Sequence, residues 1–277
     1  MTTLRERAEL FHSLHRGGTP LVLANVWDVA GARLVEEAGA GAVATTSAGV
    51  AWSLGAPDGD RLDRDRAIDL IARIAAAVDL PVTADIESGF ADTPEGVAET
   101  VGRVIAAGAV GVNIEDALYG GDTPLRPVEE QCERLAAARR AAEEAGIPLY
   151  VNARTDVYLR QVGETPKERF EAAVERAEAY LAAGASGVFV PGVVDPETVA
   201  ALTGAVAAPL NILVGPGAPT VAELAALGVA RVSLGSSIVG AAYAVIWEAT
   251  REVLASGTYT PLEGALDYGR LNAILGG

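Results

Sequence analysis

The chain has 277 residues, half of them apolar, and a formal net charge of -16. This allows a large buried core and argues against nucleic acid or an anionic membrane surface as partner, since both need a basic face. No apolar run approaches the roughly 18 residues of a membrane span, the N-terminal Arg5, Glu6, Arg7 and Glu9 leave no signal-peptide apolar region, and Cys132, the sole cysteine, forbids an intrachain disulfide, so a reduced cytoplasm is expected. Histidine and lysine are equally scarce. His12, His15 and Lys167 are all there are, which leaves little for a histidine-ligated metal or a Schiff-base lysine.

In chain order, residues 2–16 predict an amphipathic helix with Leu4, Ala8, Leu10, Phe11 and Leu14 on one side, ended by Gly17-Gly18 and Pro20. Strands and helices then alternate. A short apolar strand over 21–26 leads to a helix over 28–38 and a strand over 42–46. A long loop follows, from Ser47-Ala48-Gly49 to Pro57-Asp58-Gly59. The next helix, 63–79, precedes a strand over 82–86. Thr93-Pro94-Glu95 opens a helix with a cap residue and a first-turn proline. Strand 111–115 is followed by a second long loop, Ala117 to Pro127, and helix 128–145. Strand 149–154, the helix opened by Thr165-Pro166, strand 187–190 and the helix opened by Asp195-Pro196 come next. Strand 210–214, helix 219–226, strand 231–234 and helix 236–256 complete the alternation, and 260–277 is left unassigned.

This makes eight strands, each followed by a helix, and the junctions repeat. Helices end on Ala38-Gly39-Ala40-Gly41, Ala107-Gly108-Ala109-Val110, Ala183-Gly184-Ala185-Ser186 and Leu227-Gly228-Val229-Ala230, where glycine can take the left-handed backbone that stops a helix. Leu80-Pro81, Ile147-Pro148 and Ala208-Pro209 enter the alternate strands. Such βα repetition predicts an α/β fold, a (β/α)8 TIM barrel, as one domain over 1–277. Residues 1–17 would be an N-terminal helix and 236–277 C-terminal helices at an oligomer contact. An open doubly wound sheet would need a Gly-rich dinucleotide loop after the first strand, which is absent.

Active sites of such barrels lie at the C-terminal ends of the strands. Val82-Thr83-Ala84-Asp85-Ile86-Glu87 ends on two acids spaced to share one side of an extended chain. Glu115 and Asp116 end the next strand, and Arg154 and Asp156 the one after. Thr46, Ser47, Ala48 and Asp58 follow the second strand, and Asn211 lies on the seventh. Carboxylates converging without lysine or histidine repel one another unless a divalent cation joins them. All-oxygen ligation suits Mg²⁺, with Mn²⁺ as substitute. Arg154 would hold a substrate carboxylate in bidentate fashion, and backbone N–H groups near Ser47 and Ala48 could hold an oxyanion. Bland readings stand beside these. Asp116 equally suits a helix N-terminal charge, Arg154 a rim salt bridge and Asn211 a backbone partner. Cys132 reads as a structural residue on a helix, and His12 and His15 as surface or packing residues.

Thr46-Ser47-Ala48-Gly49, Leu54-Gly55-Ala56-Pro57-Asp58, Thr83-Ala84-Asp85-Ile86-Glu87-Ser88-Gly89-Phe90, Gly111-Val112-Asn113-Ile114-Glu115-Asp116 and Asn152-Ala153-Arg154-Thr155-Asp156 together resemble the isocitrate lyase/phosphoenolpyruvate mutase superfamily over about 20–250. The resemblance implies a Mg²⁺-dependent barrel that makes or breaks a C–C or P–C bond beside the carboxylate of a 2-oxo acid. By it Asp85 is the nearest metal ligand, and Asp58, Glu87 and Glu115 act through metal-bound water. Thr46, Ser47, Ala48, Asp85, Arg154 and Asn211 would contact the substrate.

The resemblance breaks down in the loop after 111–115. The lyase branch carries Lys-Lys-Cys-Gly-His there, whereas this chain reads Leu118-Tyr119-Gly120-Gly121-Asp122-Thr123-Pro124-Leu125. Isocitrate and methylisocitrate cleavage are therefore not expected. The phosphonate branch begins this loop with Asp-Lys, and here Asp116-Ala117 stands instead. The family's histidine after the sixth strand is also missing. The leading expectation is a C–C lyase or decarboxylase working through a metal-stabilised enolate, with Arg154, Glu115, Tyr119 and Asp122 as its catalytic groups. The proton would come from bound water, Tyr119 or Asp122, and the 117–127 loop would gate the site. Alternatives are a P–C mutase or hydrolase on phosphonopyruvate-like substrates and a non-catalytic 2-oxo dicarboxylate binder. Helix 236–256 is apolar on too many sides for an external helix, which predicts a homo-oligomer, a dimer or a tetramer with exchanged C-terminal helices as is frequent in the family.

Overall fold

The first strand is interrupted at Ala24, and its two halves serve opposite neighbours. In the computed structural model, which describes residues 2–120 and 123–276, the strands are β1 (Leu21–Leu23), β2 (Asn25–Val26), β3 (Val43–Thr45), β4 (Val82–Asp85), β5 (Gly111–Glu115), β6 (Tyr150–Arg154), β7 (Gly187–Val190), β8 (Leu210–Leu213) and β9 (Arg231–Ser233). All pairings are parallel, in the order β1-β9-β8-β7-β6-β5-β4-β3-β2. Because β1 and β2 are consecutive in the chain, the sheet returns to its own first strand, and the nine segments form a nearly closed TIM-barrel-like α/β fold. The expected strand positions all hold.

The helices are α1 (Leu4–Leu14), α2 (Val29–Glu37), α3 (Ser47–Ser53), α4 (Arg64–Ala77), α5 (Pro94–Ala106), α6 (Val128–Glu144), α7 (Pro166–Ala182), α8 (Pro196–Ala205), α9 (Val221–Ala226), α10 (Ser237–Ser256) and α11 (Tyr268–Leu275). The side chains of Thr93, Thr165, Asp195 and Thr220 each accept an N–H of the first turn of the helix they cap. The repeated glycines take positive φ at Gly39, Gly108, Gly184 and Gly228, as the junction pattern requires.

One element departs from expectation. The start of the predicted loop after β3 is the helix α3. Seven residues are too few to carry a helical period, and Gly49 is a poor helix former. Packing selects the helix instead: a Cβ on Gly49 would lie 2.7 Å from Thr46 Cγ2 and 3.0 Å from Trp27 Cβ, so only glycine lets the backbone sit so close. The unassigned tail holds a 3-10 turn (Thr260–Leu262) and α11, which packs against α2 of the same chain.

The register of β5 on β6 builds the barrel interior in layers. Gly111 faces Tyr150, Asn113 faces Asn152, and Glu115 faces Arg154. The lowest layer is plugged by α1. Phe11 would lie 2.8 Å from any Cβ at Gly111, and the ring of His15 stacks on Tyr150 at 3.9 Å. The His12 ring also lies against Tyr150, at 5.0 Å, so both histidines pack, one of the two roles expected of them; burial pushes His15 down to about 3, so the ring is neutral. The middle layer is polar. Arg231 on β9 crosses the barrel to donate to Asn113 Oδ1 on β5, which also accepts from Asn152 Nδ2. The top layer carries the charges.

Candidate active site

Arg154 is the hub of the top layer. Its Nη1 is 2.7 Å from Glu115 Oε2, and its Nε and Nη2 donate to the two carboxylate oxygens of Asp156 at 2.6 and 2.9 Å. A guanidinium has five N–H groups, so these contacts leave two for a ligand. Burial by itself would lower the Arg154 pKa, but Glu115 and Asp156 hold it well above the ordinary arginine value. Glu115 is buried, and desolvation lifts its carboxyl above the usual range despite the attraction of Arg154. The salt-bridge reading of Arg154 is thus observed: two acids orient it, and part of its fork makes no contact with them.

Asp116 is not part of the charge cluster. Its carboxylate accepts the Asp156 N–H at 2.9 Å, the Tyr180 hydroxyl at 2.8 Å and Arg176 Nη1 at 3.1 Å. It ties the end of β5 to the turn after β6 and to α7, a structural role different from the helix N-terminal charge expected of it.

Asp85 ends β4. Its N–H donates to Thr45 Oγ1 at 2.9 Å, and its Oδ2 accepts the Ser47 N–H at 3.3 Å. Its Oδ1 is buried and has no hydrogen-bond partner among the described residues. The Ser47 amide, expected at an oxyanion, is therefore turned toward Asp85 here. Thr46 caps α3 by backbone alone, and Ala48 is buried in the first turn of that helix. Asp58 approaches from the loop after α3. Partial burial and the neighbouring Asp85 charge raise its pKa, while the Ser47 hydroxyl and Arg154 lower it.

Glu87 holds a left-handed backbone, φ 51°, which is costly for a non-glycine residue. This turns its side chain back into the protein, where its carboxylate accepts the Asp60 N–H. Desolvation, reinforced by Asp60, Asp58 and Asp85, pushes it up to about 8. Asn211 is buried on β8, with Oδ1 accepting from the Ser233 hydroxyl at 3.1 Å and Nδ2 without a partner.

The loop after β5 folds over this cluster. Ala117 and Leu125 form an antiparallel bridge, the Leu118 N–H donates to Pro124 O at 3.0 Å, and the Arg126 N–H donates to Asp116 O at 2.8 Å. The Tyr119 hydroxyl donates to Glu115 Oε1 at 2.6 Å. Its ring lies against Gly59, where a Cβ would come within 2.7 Å, and under the Arg160 guanidinium at 4.8 Å. Asp122 lies outside the described residues.

Several contributors were not assigned from sequence. Asn113, Asn152 and Arg231 form the polar layer beneath the acids, and Arg160 covers Tyr119. The available signal was strand alternation. Arg231 and Ser233 are two apart on a buried strand, as are Asn113 and Glu115, so each pair shares a face.

The donor set is all oxygen and includes the buried, partnerless Asp85 Oδ1. Among the described residues no three Asp, Glu, His or Cys side chains gather closely enough to form a protein cage for a metal. A cation here would rest mainly on Asp85 and water. That suits Mg²⁺, which keeps several waters and takes one or two carboxylates.

The phosphoenolpyruvate phosphomutase family model matches residues 11–254. An uncharacterised protein of Mycobacterium tuberculosis strain H37Rv is 42% identical over 228 residues, 82% of this chain and 81% of that protein. The 2-methylisocitrate lyase of Escherichia coli K12 is 32% identical over 197 residues, 68% of this chain and 62% of that enzyme. Among solved structures, a phosphonopyruvate hydrolase in complex with oxalate and Mg²⁺ superposes with a TM-score of 0.83 at 25% identity, covering 98% of this chain and 95% of that one. The barrel, the acid-rich strand ends and these matches agree, and the chain belongs to the phosphoenolpyruvate phosphomutase family of the isocitrate lyase/phosphoenolpyruvate mutase superfamily, whose members are lyases, mutases, decarboxylases and hydrolases.

Proposed function

We propose that this protein is a Mg²⁺-dependent enzyme that cleaves a C–C bond of a 2-oxo acid, as a lyase or decarboxylase, the electron pair of the broken bond passing into the enolate of the fragment that keeps the 2-oxo group. The observation that carries this reading is the Tyr119 hydroxyl held 2.6 Å from Glu115, whose other carboxylate oxygen is 2.7 Å from Arg154. Mg²⁺ at Asp85 would supply a Lewis acid for the 2-oxo oxygen.

The protein's own groups do the rest. The two free N–H groups of Arg154 hold the carboxylate beside the 2-oxo group. Thr46, Ser47 and Ala48 border the 2-oxo oxygen, and Asn211 offers its partnerless Nδ2 from the barrel floor. Tyr119 protonates the enolate carbon. Its pKa is raised by burial and by the Glu115 charge, so the phenol stays protonated at neutral pH. Glu115 orients it. The Ala117–Leu125 bridge and Tyr119 exclude water, which keeps the enolate from stray protonation. Tyr119 stands in a loop without lysine or cysteine, which favours C–C chemistry on a small oxo acid over the phosphonate and isocitrate reactions. The unpaired Cys132 fits a reduced cytoplasmic setting.

Calorimetric titration of pyruvate, oxaloacetate, 2-oxoglutarate and phosphonopyruvate, with and without Mg²⁺ and followed by product analysis, tests the reading. Mg²⁺-dependent binding with a C–C cleavage product is expected. Release of inorganic phosphate from phosphonopyruvate would replace it with the P–C reaction. Mg²⁺-dependent binding of an oxo acid with no product would replace it with a binding role.

A further inference from the structure

Arg231, on β9, is a buried cation with no carboxylate partner among the described residues; it is 1% exposed. Its contacts are long and neutral. Nη2 donates to Asn113 Oδ1 at 3.3 Å and Nε to Ser233 Oγ at 3.4 Å, while Nη1 has no hydrogen-bond partner among the described residues. Arg154 and Arg134 are held differently. Arg154 has the carboxylates of Glu115 and Asp156, and Arg134 has the carbonyls of Ser88 and Ala91. Taking a guanidinium out of water is costly, and two long hydrogen bonds to neutral oxygens offset little of it.

The surroundings aim the field of this charge at the site above it. Below Arg231 stand His15 and Tyr150, both uncharged at neutral pH: burial pushes His15 down to about 3 and raises the Tyr150 phenol above its ordinary value. On the other side, the acceptor Asn113 pairs directly with Asp85 on the adjacent strand β4.

The strand neighbour of Arg231 itself is Asn211, whose buried Nδ2 also has no partner among the described residues. Arg231 is therefore one side chain removed from Asp85 and beside Asn211, the residues proposed to meet Mg²⁺ and the oxo acid. Burial lowers its own pKa to about 10, with Tyr150 and Asp85 opposing that shift, so it is cationic at neutral pH.

We infer that Arg231 is a positioning residue that sets the charge of the site from below, disfavouring a lone divalent cation at Asp85 and favouring an anionic occupant beside it. Metal and oxo acid are then taken up together, because each supplies the charge that the fixed guanidinium makes the other need. The same fixed charge favours the negative charge that develops on the substrate fragment, and it does so without reorganising. This inference rests on the proposed Mg²⁺ site at Asp85.

The test is binding without turnover, read by calorimetry on the full chain. Two constants are measured: Mg²⁺ alone, and oxalate, a small dianion that forms no enolate, with the protein saturated in Mg²⁺. Arg231→Met removes the charge and keeps a long side chain. It should bind Mg²⁺ at least about fivefold more tightly and oxalate at least about fivefold more weakly, since a unit charge acts on the two with opposite sign. Damage to the fold would instead weaken both. Arg231→Gln, which can still donate to Asn113, should shift the constants in the same two directions, because the charge and not the hydrogen bond is responsible. Arg73→Gln, an exposed change on α4, should alter neither. Constants that stay at the wild-type values in the neutral Arg231 variants, or that both weaken, would overturn the inference alone, provided that the wild type binds Mg²⁺ and Asp85→Asn abolishes that binding. A wild type that binds no Mg²⁺, or whose binding survives Asp85→Asn, would remove the metal site and the inference with it.

Discussion

Tyr119 is the residue on which the proposed chemistry turns, and no sequence pattern gave it more weight than Asp122. Its hydroxyl reaches Glu115 only because Gly59, at φ 95°, lets the ring lie flat on the opposite loop. Tyr119→Phe keeps that packing and removes the proton. With the substrate found by titration, kcat should fall by about a hundredfold or more while KM changes little; an unchanged kcat in steady-state kinetics would remove Tyr119 from the mechanism. His15 gives a test of a different kind. Its folded pKa, about 3, lies below its ordinary value of 6.5. The unfolded chain therefore binds this proton first as pH falls, so the stability it carries is complete above pH 6.5 and is lost as pH falls from 6.5 toward 3. His15→Phe preserves the stack on Tyr150 and removes the titration. In urea titrations across that range, the wild type should lose stability relative to the variant by up to about 1.4 kcal/mol per pH unit. Parallel pH curves would show that His15 is not held neutral.

At the scale of the element, α3 decides where Thr46, Ser47 and Ala48 stand. Thr46, Ser47 and Ala48 were legible as candidates because they follow a strand, but their conformation was not legible. A seven-residue segment with a glycine in it carries no helical signature, and tertiary contact with Trp27 overrides propensity. Gly49→Ala tests this. It improves intrinsic helix propensity yet places a methyl against Thr46 and Trp27, so the urea midpoint should fall, corresponding to about 1–3 kcal/mol of overpacking. A stabilised variant would mean that α3 is held by propensity and not by packing. Asp116 shows the same division. A strand-end acid beside Glu115 reads as a site residue, but the reach of Arg176 and Tyr180 from α7 makes it a tie between elements.

For the whole molecule, the C-terminal helices are the open question. Val239 is the only buried side chain of α10, whereas Ile246 is 61% exposed, Trp247 66% and Leu254 82%. A soluble monomer rarely leaves a contiguous apolar face of this kind, so assembly through α10 is expected. Within one chain α11 rests on its own α2, and exchange of the tail between copies remains a proposal. Light scattering at micromolar concentration should give a dimer or tetramer, and Trp247→Glu with Leu254→Glu should shift it toward the monomer. A monomeric wild type would remove the oligomer prediction. Among the described residues no helix is long and apolar enough to cross a membrane.

The sequence by itself determined the order of strands and helices, the junction glycines and prolines, and the acids and arginine at the strand ends. These follow from periodicity and local backbone preference, which act over a few residues. It also determined the family, because the strand-end segments are local strings. Only the tertiary structure decided which of those ends act together. The β5–β6 register sets Glu115 against Arg154, barrel closure brings Arg231 across to Asn113, and the 117–127 loop carries Tyr119 onto Glu115. Each of these contacts joins segments that fold separately, and their meeting depends on register, closure and packing, which no local stretch of sequence encodes.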